Sequence, residues 1–494
     1  MKKYLLGIDV GTTGTKTILF AEDGELIGSA YRPYDLASPA VGMNEQNPED
    51  WWHAIVETVR EAVPSAEIGQ NVAAISLSLQ GGTVVPVDAS FTPLRPAIVW
   101  NDARCEKERA EFISEFGSAR VIYEKTGWEL DPGLPVLQIR WLRKNEPEIF
   151  ANAAMFLTVP DYVSAKMTGI PAVDPSDAGI NQFYNVREGK YDAELLRFAG
   201  VREEQLAKVV PSGTCIGHLT AEAAAELGLS ENAVLVTGAH DQYAVALGAG
   251  ATESGDILIG SGTAWVVTAI GDKPDFDSAL AQSVSAVPGL WGSLLSLSSG
   301  GVSLEWWRRK LTVQDGGEKI PFSVIDTEAE ARHAADDGLF FYPFSGKCKD
   351  GADFSKGSLI GLDLSHDRFD IASAIMEGVV FQAVWMMESF AVKPSADGLK
   401  LAGGASKSPI WTKMLANIAN LPVRIPEVAD LACVGAAVLA GVGCGLYADV
   451  RDGYKKLAIR ETVVYPDADQ AAKYAKHFET YKKNAEALGN VYGI

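Results

Sequence analysis

Four short runs of this chain carry residue types that could do chemistry. The first is Asp9-Val10-Gly11-Thr12-Thr13-Gly14-Thr15-Lys16. Its glycines let consecutive backbone N–H groups turn toward one anion, as phosphate oxygens require. Thr12 and Thr13 add hydroxyl donors, and Lys16 adds a positive charge. Asp9 closes an apolar run, a place where a carboxylate can hold a divalent cation or its waters. An ordinary hairpin with a polar turn has the same composition, and the spacing is not that of a Walker loop. The second run, Gly238-Ala239-His240-Asp241-Gln242, follows the apolar Val234-Leu235-Val236. A carboxylate there can accept a proton from an attacking hydroxyl. It can equally cap the helix that follows. The third run, Gly260-Ser261-Gly262-Thr263, is a second phosphate turn or a tight hairpin. The fourth, Ala402-Gly403-Gly404-Ala405-Ser406, joins an apolar strand to a helix. A flat ligand or a phosphate can approach the backbone at such a turn, and a plain connection reads the same way.

The elements that must position these runs can be read from periodicity. Tyr4–Asp9 and Lys16–Ala21 read as strands around the first turn, followed by the Asp23-Gly24 hairpin. Asn47-Pro48-Glu49-Asp50 opens an amphipathic helix. Ile257-Leu258-Ile259, the third run and Trp265–Ile270 repeat the opening strand–turn–strand unit. Helices are expected at Ser303–Leu311, Ile371–Phe390, Ile410–Ala419 and Cys433–Leu446, with a terminal helix from Asp469. Trp51-Trp52 and Trp306-Trp307 fall at the ends of amphipathic helices and are assigned to packing.

A chain of 494 residues exceeds one core, so two or three domains are expected. With 47% hydrophobic and 22% charged residues it is globular rather than disordered. The net charge of −21 argues against nucleic acid or an anionic membrane as partner. It also means that any nucleotide needs local backbone N–H groups, lysines and a divalent cation. Cys105, Cys215, Cys348, Cys433 and Cys444 are scattered, which points to reduced buried thiols and a cytoplasmic protein. The 6 histidines are dispersed as well, against a zinc site. No signal peptide and no transmembrane helix are expected. A homodimer is the default expectation for assembly.

Taken together, the four runs resemble the FGGY family of carbohydrate kinases, and within it the xylulokinase branch. The most specific segment is Gly357-Ser358-Leu359-Ile360-Gly361-Leu362 with Asp370-Ile371, Ala374 and Glu377. Trp100-Asn101-Asp102-Ala103-Arg104, Asp161-Tyr162, Thr168-Gly169 and Asp174-Pro175-Ser176 are also similar, and Pro135 and Trp141 meet part of the family's other signature. The likeness runs over nearly the whole chain.

The resemblance implies an α/β fold of duplicated ribonuclease-H-like (actin-like ATPase) domains with an interdomain cleft. It places an acceptor-binding domain at 1–246, a nucleotide-binding domain at 247–450 and a helical tail at 451–494. It implies transfer of the γ-phosphoryl group of ATP, with Mg²⁺, to a hydroxyl of a small ketose or polyol. D-xylulose is the first choice; ribulose, erythritol, gluconate and glycerol are the alternatives. Carried over by position, Asp241 is the catalytic base, and Asp9, with Asp241, organises the metal. Gly11, Thr12, Thr13 and Lys16, with Gly260, Ser261, Gly262 and Thr263, form the two phosphate loops. Gly301 and Glu305 border the nucleotide, and Gly403, Gly404 and Ser408 contact adenosine. Gln80, Gly81, Asp102, Arg104, Asp241 and Gln242 line the acceptor pocket. Xylulokinases usually read Gln-Met-His where this chain has Gln80-Gly81-Gly82, which removes a hydrogen-bond group and is expected to leave more room. Two other classes compete: a non-catalytic sensor on the same fold, and an actin- or chaperone-type ATPase acting on a protein. The acidic residues at 9 and 241 speak against the first, and the Trp100–Arg104 segment against the second.

Overall fold

The computed structural model describes residues 2–492 apart from 279, 313–316, 333–334, 345, 348–352 and 355. Two large sheets dominate. The first is built from β1 (Tyr4–Val10), β2 (Gly14–Ala21), β3 (Leu26–Pro33), β4 (Val72–Leu79), β5 (Cys215–His218) and β6 (Val234–His240). The second is built from β7 (Ile257–Ser261), β8 (Trp265–Gly271), β9 (Ala281–Val284), β10 (Trp291–Leu297), β11 (Leu399–Gly403), β12 (Val423–Pro426) and β13 (Glu461–Val464). Their strand orders are β5-β6-β4-β1-β2-β3 and β9-β10-β8-β7-β11-β12-β13. In each, an antiparallel meander (β1-β2-β3, then β7-β8-β10) continues into two parallel strands (β4 and β6, then β11 and β12). That shared order is the duplicated ribonuclease-H-like arrangement, and the weak repeat at Ile257 marks its second copy.

The local causes are ordinary. Leu5, Leu6, Ile8 and Val10 are all fully buried, because β1 is covered on both faces and so reads as a continuous apolar run. Helix α1 (Pro48–Ala62) starts where the Asn47 side chain accepts from the Glu49 N–H, with Pro48 in its first turn and Glu49 and Asp50 against the helix dipole. Trp51, Trp52 and Trp307 are buried among aliphatic side chains, as packing requires.

The remaining helices that matter here are α2 (Pro175–Ile180), α3 (Asp241–Gly248), α4 (Gly301–Trp306), α5 (Arg368–Met387), α6 (Pro409–Ala419), α7 (Leu431–Gly443) and α8 (Ala468–Tyr492). The helix expected over Ser303–Leu311 is α-helical only to Trp306 and widens to a π-turn over Trp307–Leu311. Helix α5 is long and apolar enough to cross a bilayer, yet 83% of its apolar window is buried inside the protein. Its apolar length serves the second core, where it packs with Trp411, Tyr474 and Tyr481. The segment 451–494 is not purely helical: β13 extends the second sheet, and Tyr481 of α8 is fully buried. Helix α7 packs on the first sheet although in sequence it lies between β12 and β13 of the second. A Cβ on Gly7 would lie 1.9 Å from the Cys433 carbonyl oxygen, and one on Gly435 2.0 Å from that of Ala244. Backbone meets backbone where α3 and α7 cross, so the two halves share this seam. Cys105 and Cys433 are buried, Cys444 is half-buried, and Cys215 is exposed, unlike the expected burial of all five; Cys348 lies outside the described residues.

Candidate active site

Parallel pairing brings the four sequence runs to the same ends of their sheets. Asp9 pairs with Lys16 across β1–β2 and with Ser78 across β1–β4, and the Ser78 hydroxyl donates to Asp9 Oδ1 at 2.7 Å. Asp241 follows β6 directly and is the first residue of α3. On the other half, Ser261 pairs with Gly403 across β7–β11. These ends converge on a cleft of about 630 Å³ lined by Asp9, Asp241, Gln242, Gly260–Gly262, Gly403–Gly404 and Asp430.

Asp241 does not cap its helix: His240 holds the cap position, and Asp241 Oδ1 is buried with no hydrogen-bond partner. Burial, the Asp430 carboxylate and then that of Asp241 push the Asp9 carboxyl up to about 7. A shift of this kind identifies carboxylates gathered with too little counter-charge. Among the described residues no cluster of three metal-ligating side chains occurs. Two carboxylates facing one cleft still suit Mg²⁺, which keeps most of its waters and takes the rest of its shell from phosphate oxygens. The donor set fits such a cation: Asp241 Oδ1 makes no hydrogen bond, and the raised Asp9 carboxyl lacks counter-charge.

The loops differ in detail from their expected roles. Lys16 does not line the cleft: its ammonium is turned to the Asp430 carboxylate at 3.2 Å and the Ala429 carbonyl at 3.3 Å. The Thr12 hydroxyl accepts from the Trp100 indole N–H at 3.0 Å and donates to Gln80 Oε1 at 3.0 Å. The Thr12 hydroxyl is thus tied to Trp100 and Gln80 rather than left open. Gly11 and Thr13 complete that turn, with the Gly11 N–H bonded to the Gly14 carbonyl. Ser261 spends its hydroxyl on the Ala402 carbonyl and the Ala405 N–H, so only its backbone is left to face the cleft. Gly301 and Val302 donate to the Gly262 and Thr263 carbonyls, so α4 braces the second loop from behind.

Two expected nucleotide contacts are elsewhere. Glu305 does not line the cleft. Burial would raise its pKa, but Lys319, Arg309 and Arg308 overcome this and hold it at about 2. The Ser408 side chain caps α6 by accepting from the Trp411 N–H at 3.1 Å and donates to Asp326 at 2.7 Å. Lys407 and Asp430 line the cleft instead and were missed in the sequence. Asp430 had a legible signal: it caps α7 by accepting from the Cys433 N–H at 3.1 Å, directly before an apolar run.

A second cavity, of about 710 Å³, opens between Trp100–Ala103 and Trp128–Leu134 of the first half and Ala281 and Leu294–Ser298 of the second. Asp102 is on its wall. Arg104 is not: it is 2% exposed at the side chain, bonded to both Asp102 oxygens at 2.9 and 2.8 Å and to Glu45 at 2.9 Å. Gln80 is buried and does not line this cavity: it accepts from the Thr12 hydroxyl, and its amide donates to Gln46 at 3.0 Å. The extra room expected at Gly81-Gly82 has been filled. A Cβ on Gly81 would lie 2.7 Å from Ile180 and 2.8 Å from His240, and one on Gly82, at φ +75, 2.7 Å from Leu134.

Comparison with known proteins follows this geometry. Residues 4–248 match the N-terminal domain of the FGGY family of carbohydrate kinases, and residues 257–444 match its C-terminal domain. The chain is 29% identical over 486 residues to the xylulose kinase of Bacillus subtilis (strain 168), covering 97% of this chain and 96% of that protein. It is 28% identical over 514 residues to the gluconokinase of the same organism, covering 100% and 97%. The crystal structure of xylulose kinase from Rhodospirillum rubrum superposes with a TM-score of 0.90 at 27% identity, covering 100% of both chains.

Proposed function

Because this chain belongs to the FGGY family of carbohydrate kinases and carries both of its domains in order, we propose that it moves the γ-phosphoryl group of ATP to a hydroxyl of a small ketose, with D-xylulose as first choice. It is an ATP-dependent carbohydrate kinase; the sugar and the residue roles are our reading. The observation that carries them is the Asp241 carboxylate, whose Oδ1 makes no hydrogen bond and has the His240 ring nitrogen 3.5 Å away, in a cleft it shares with Asp9 and the Gly260–Gly262 backbone.

A sugar hydroxyl is a poor nucleophile at neutral pH. Asp241 takes its proton as the new bond to phosphorus forms. Backbone N–H groups of Thr12 and Thr13 and of the Gly260–Thr263 turn would bind the phosphates and stabilise the charge that spreads over them. Asp9 and Asp241 would hold Mg²⁺, which supplies charge neutralisation on the phosphate oxygens. Lys407, on the cleft wall, adds a positive charge on the nucleotide side. We assign the acceptor to the cavity beside Trp100 and the nucleotide to the cleft along Gly403–Gly404. Near-equal similarity to a gluconokinase supports a second reading, in which the acceptor is an aldonate.

A coupled ATP assay over ketoses, polyols and aldonates, with the product mapped for the phosphorylated carbon, tests the reading. Asp241→Asn should keep acceptor binding within several-fold and lose about 10²–10⁴-fold in kcat, the usual worth of a general base. Retention of more than about a tenth of the wild-type kcat would reject Asp241 as the base.

A further inference from the structure

We infer that Trp100 is a positioning residue that makes acceptor and nucleotide binding interdependent: its indole N–H ties the wall of the acceptor cavity to the peptide that aims the Thr13 N–H. The inference rests on the assignment of the Trp100 cavity to the acceptor and of the Gly11–Thr13 turn to phosphate.

The backbone of Trp100 is fixed within the first half. Its N–H donates to the Thr83 hydroxyl at 3.3 Å, and a Cβ on Gly133 would lie 1.8 Å from its carbonyl oxygen. The residue is still 45% exposed, and it stands on the cavity wall. The ring therefore has surface that an acceptor can cover. Its one polar atom, the indole N–H, donates to the Thr12 hydroxyl at 3.0 Å.

From Thr12 a closed ring of hydrogen bonds runs inward. The Thr12 hydroxyl donates to Gln80 Oε1 at 3.0 Å, the Gln80 amide to Gln46 Oε1 at 3.0 Å, and the Gln46 amide back to the Thr12 carbonyl at 2.7 Å. The Trp51 indole N–H holds Gln46 Oε1 from the core side at 3.3 Å. Gln46 and Gln80 are each 2% exposed, so water does not compete for the bond between them. A trans peptide points its C=O and its N–H to opposite sides. With the Thr12 carbonyl held by Gln46, the Thr13 N–H is held on the far side of the same plane. The next carbonyl is held as well, since the Tyr31 hydroxyl donates to the Thr13 oxygen at 3.3 Å. This ring sets the aim of the turn, and Trp100 is where it meets the cavity.

A hydrogen bond that water can reach contributes little, and it strengthens when its surroundings dry out. The Trp100–Thr12 bond lies in an exposed setting. An acceptor lying over the indole removes that water, strengthens the bond and narrows the positions open to Thr12 and Thr13. A phosphate group then meets N–H groups that are already ordered. By linkage, the nucleotide raises acceptor affinity by the same factor.

Titration calorimetry of the full chain tests this, using a non-hydrolysable ATP analogue with Mg²⁺, with and without saturating D-xylulose or the best acceptor of the substrate panel. The wild type should bind the analogue at least about fivefold more tightly when the acceptor is present, and the acceptor more tightly by that same factor when the analogue is present. Trp100→Phe keeps an aromatic wall and lacks the donor. It should bind the acceptor alone within several-fold of the wild type, with the coupling factor below about twofold and kcat lowered about fivefold. Thr12→Val removes the other end of the bond at nearly equal volume and should also abolish the coupling. The double variant should go no further than Thr12→Val, because both residues act through one bond. Melting curves check that each variant folds. A ring that only packs against the sugar would change acceptor affinity and leave the coupling factor at its wild-type value, which would overturn the inference and leave the kinase reading standing. A wild type whose nucleotide affinity does not respond to an acceptor that it phosphorylates would overturn it too. Panel compounds that neither bind nor react would overturn the assignment of the cavity, and the inference with it.

Discussion

At the scale of single residues, the buried Asp9 carboxylate works against the stability of the fold. Asp9 titrates at about 7 in the fold, against 3.8 for the free group, because burial and the Asp430 and Asp241 charges disfavour its anion. With the folded value raised, the native state holds the proton more tightly than the unfolded chain. The stability Asp9 contributes is therefore complete below about pH 4 and is lost as pH rises through about 7. Asp9→Asn removes that loss. Without nucleotide or cation, its melting temperature should exceed that of the wild type by a few °C at pH 8, with the gap closing toward pH 5. Adding MgATP should reverse the order, because the wild type then binds what the variant cannot. Melting curves across pH, with and without MgATP, check both halves. A gap that does not vary with pH would show that Asp9 is not held out of its charged form.

At the scale of elements, the sequence showed where the chain turns better than what each turn touches. The strand–turn–strand units at Asp9 and Ile257 and the strand end before Asp241 were legible, because continuous apolar runs and glycine turns are local signals. What a side chain does after the turn depends on elements distant in sequence. Ser261, on a turn that reads as a phosphate loop, is spent on the Ala402–Ala405 turn. Gly81-Gly82 read as open space, and only the arrival of Ile180, His240 and Leu134 closes it. Glu377, part of the most specific family signature, is not at the site. Burial pushes its carboxyl up to about 8, where it accepts from the Tyr474 hydroxyl at 2.9 Å and the Ala335 N–H at 3.0 Å and pins α8 to α5. Ser408 is the sharpest case, since an N-cap and an adenosine contact look alike in one sequence. Ser408→Ala should lose about 1 kcal/mol of stability, as cap removal does. Its KM for ATP should be unchanged. A raised KM at unchanged melting temperature would return Ser408 to the nucleotide.

At the scale of the molecule, both cavities have walls from both halves. The cavity we propose for the acceptor is closed by Trp100–Ala103 on one side and Leu294, Leu295, Ser296 and Ser298 on the other. The cleft we propose for the nucleotide sets Asp9 and Asp241 against Gly260–Gly262 and Gly403–Gly404. The halves share the crossing of α3 and α7, where Gly435 approaches the Ala244 carbonyl and Gly248 that of Leu431. A seam of backbone on backbone resists sliding, which leaves rotation about it as the easy motion. Ligands that fill the cavities should draw the walls together and exclude the water that would otherwise take the phosphoryl group. Small-angle scattering should therefore show a smaller radius of gyration with a ketose and a non-hydrolysable ATP analogue together than with either alone. Gly435→Ala places a Cβ 2.0 Å from the Ala244 carbonyl oxygen and must push the helices apart. Its cost should be about 1–3 kcal/mol, as for overpacking. Because the walls then close imperfectly, its ratio of ATP hydrolysed to sugar phosphate formed should rise above that of the wild type. A variant with lowered stability but an unchanged ratio would show that the crossing holds the halves together without setting how they close.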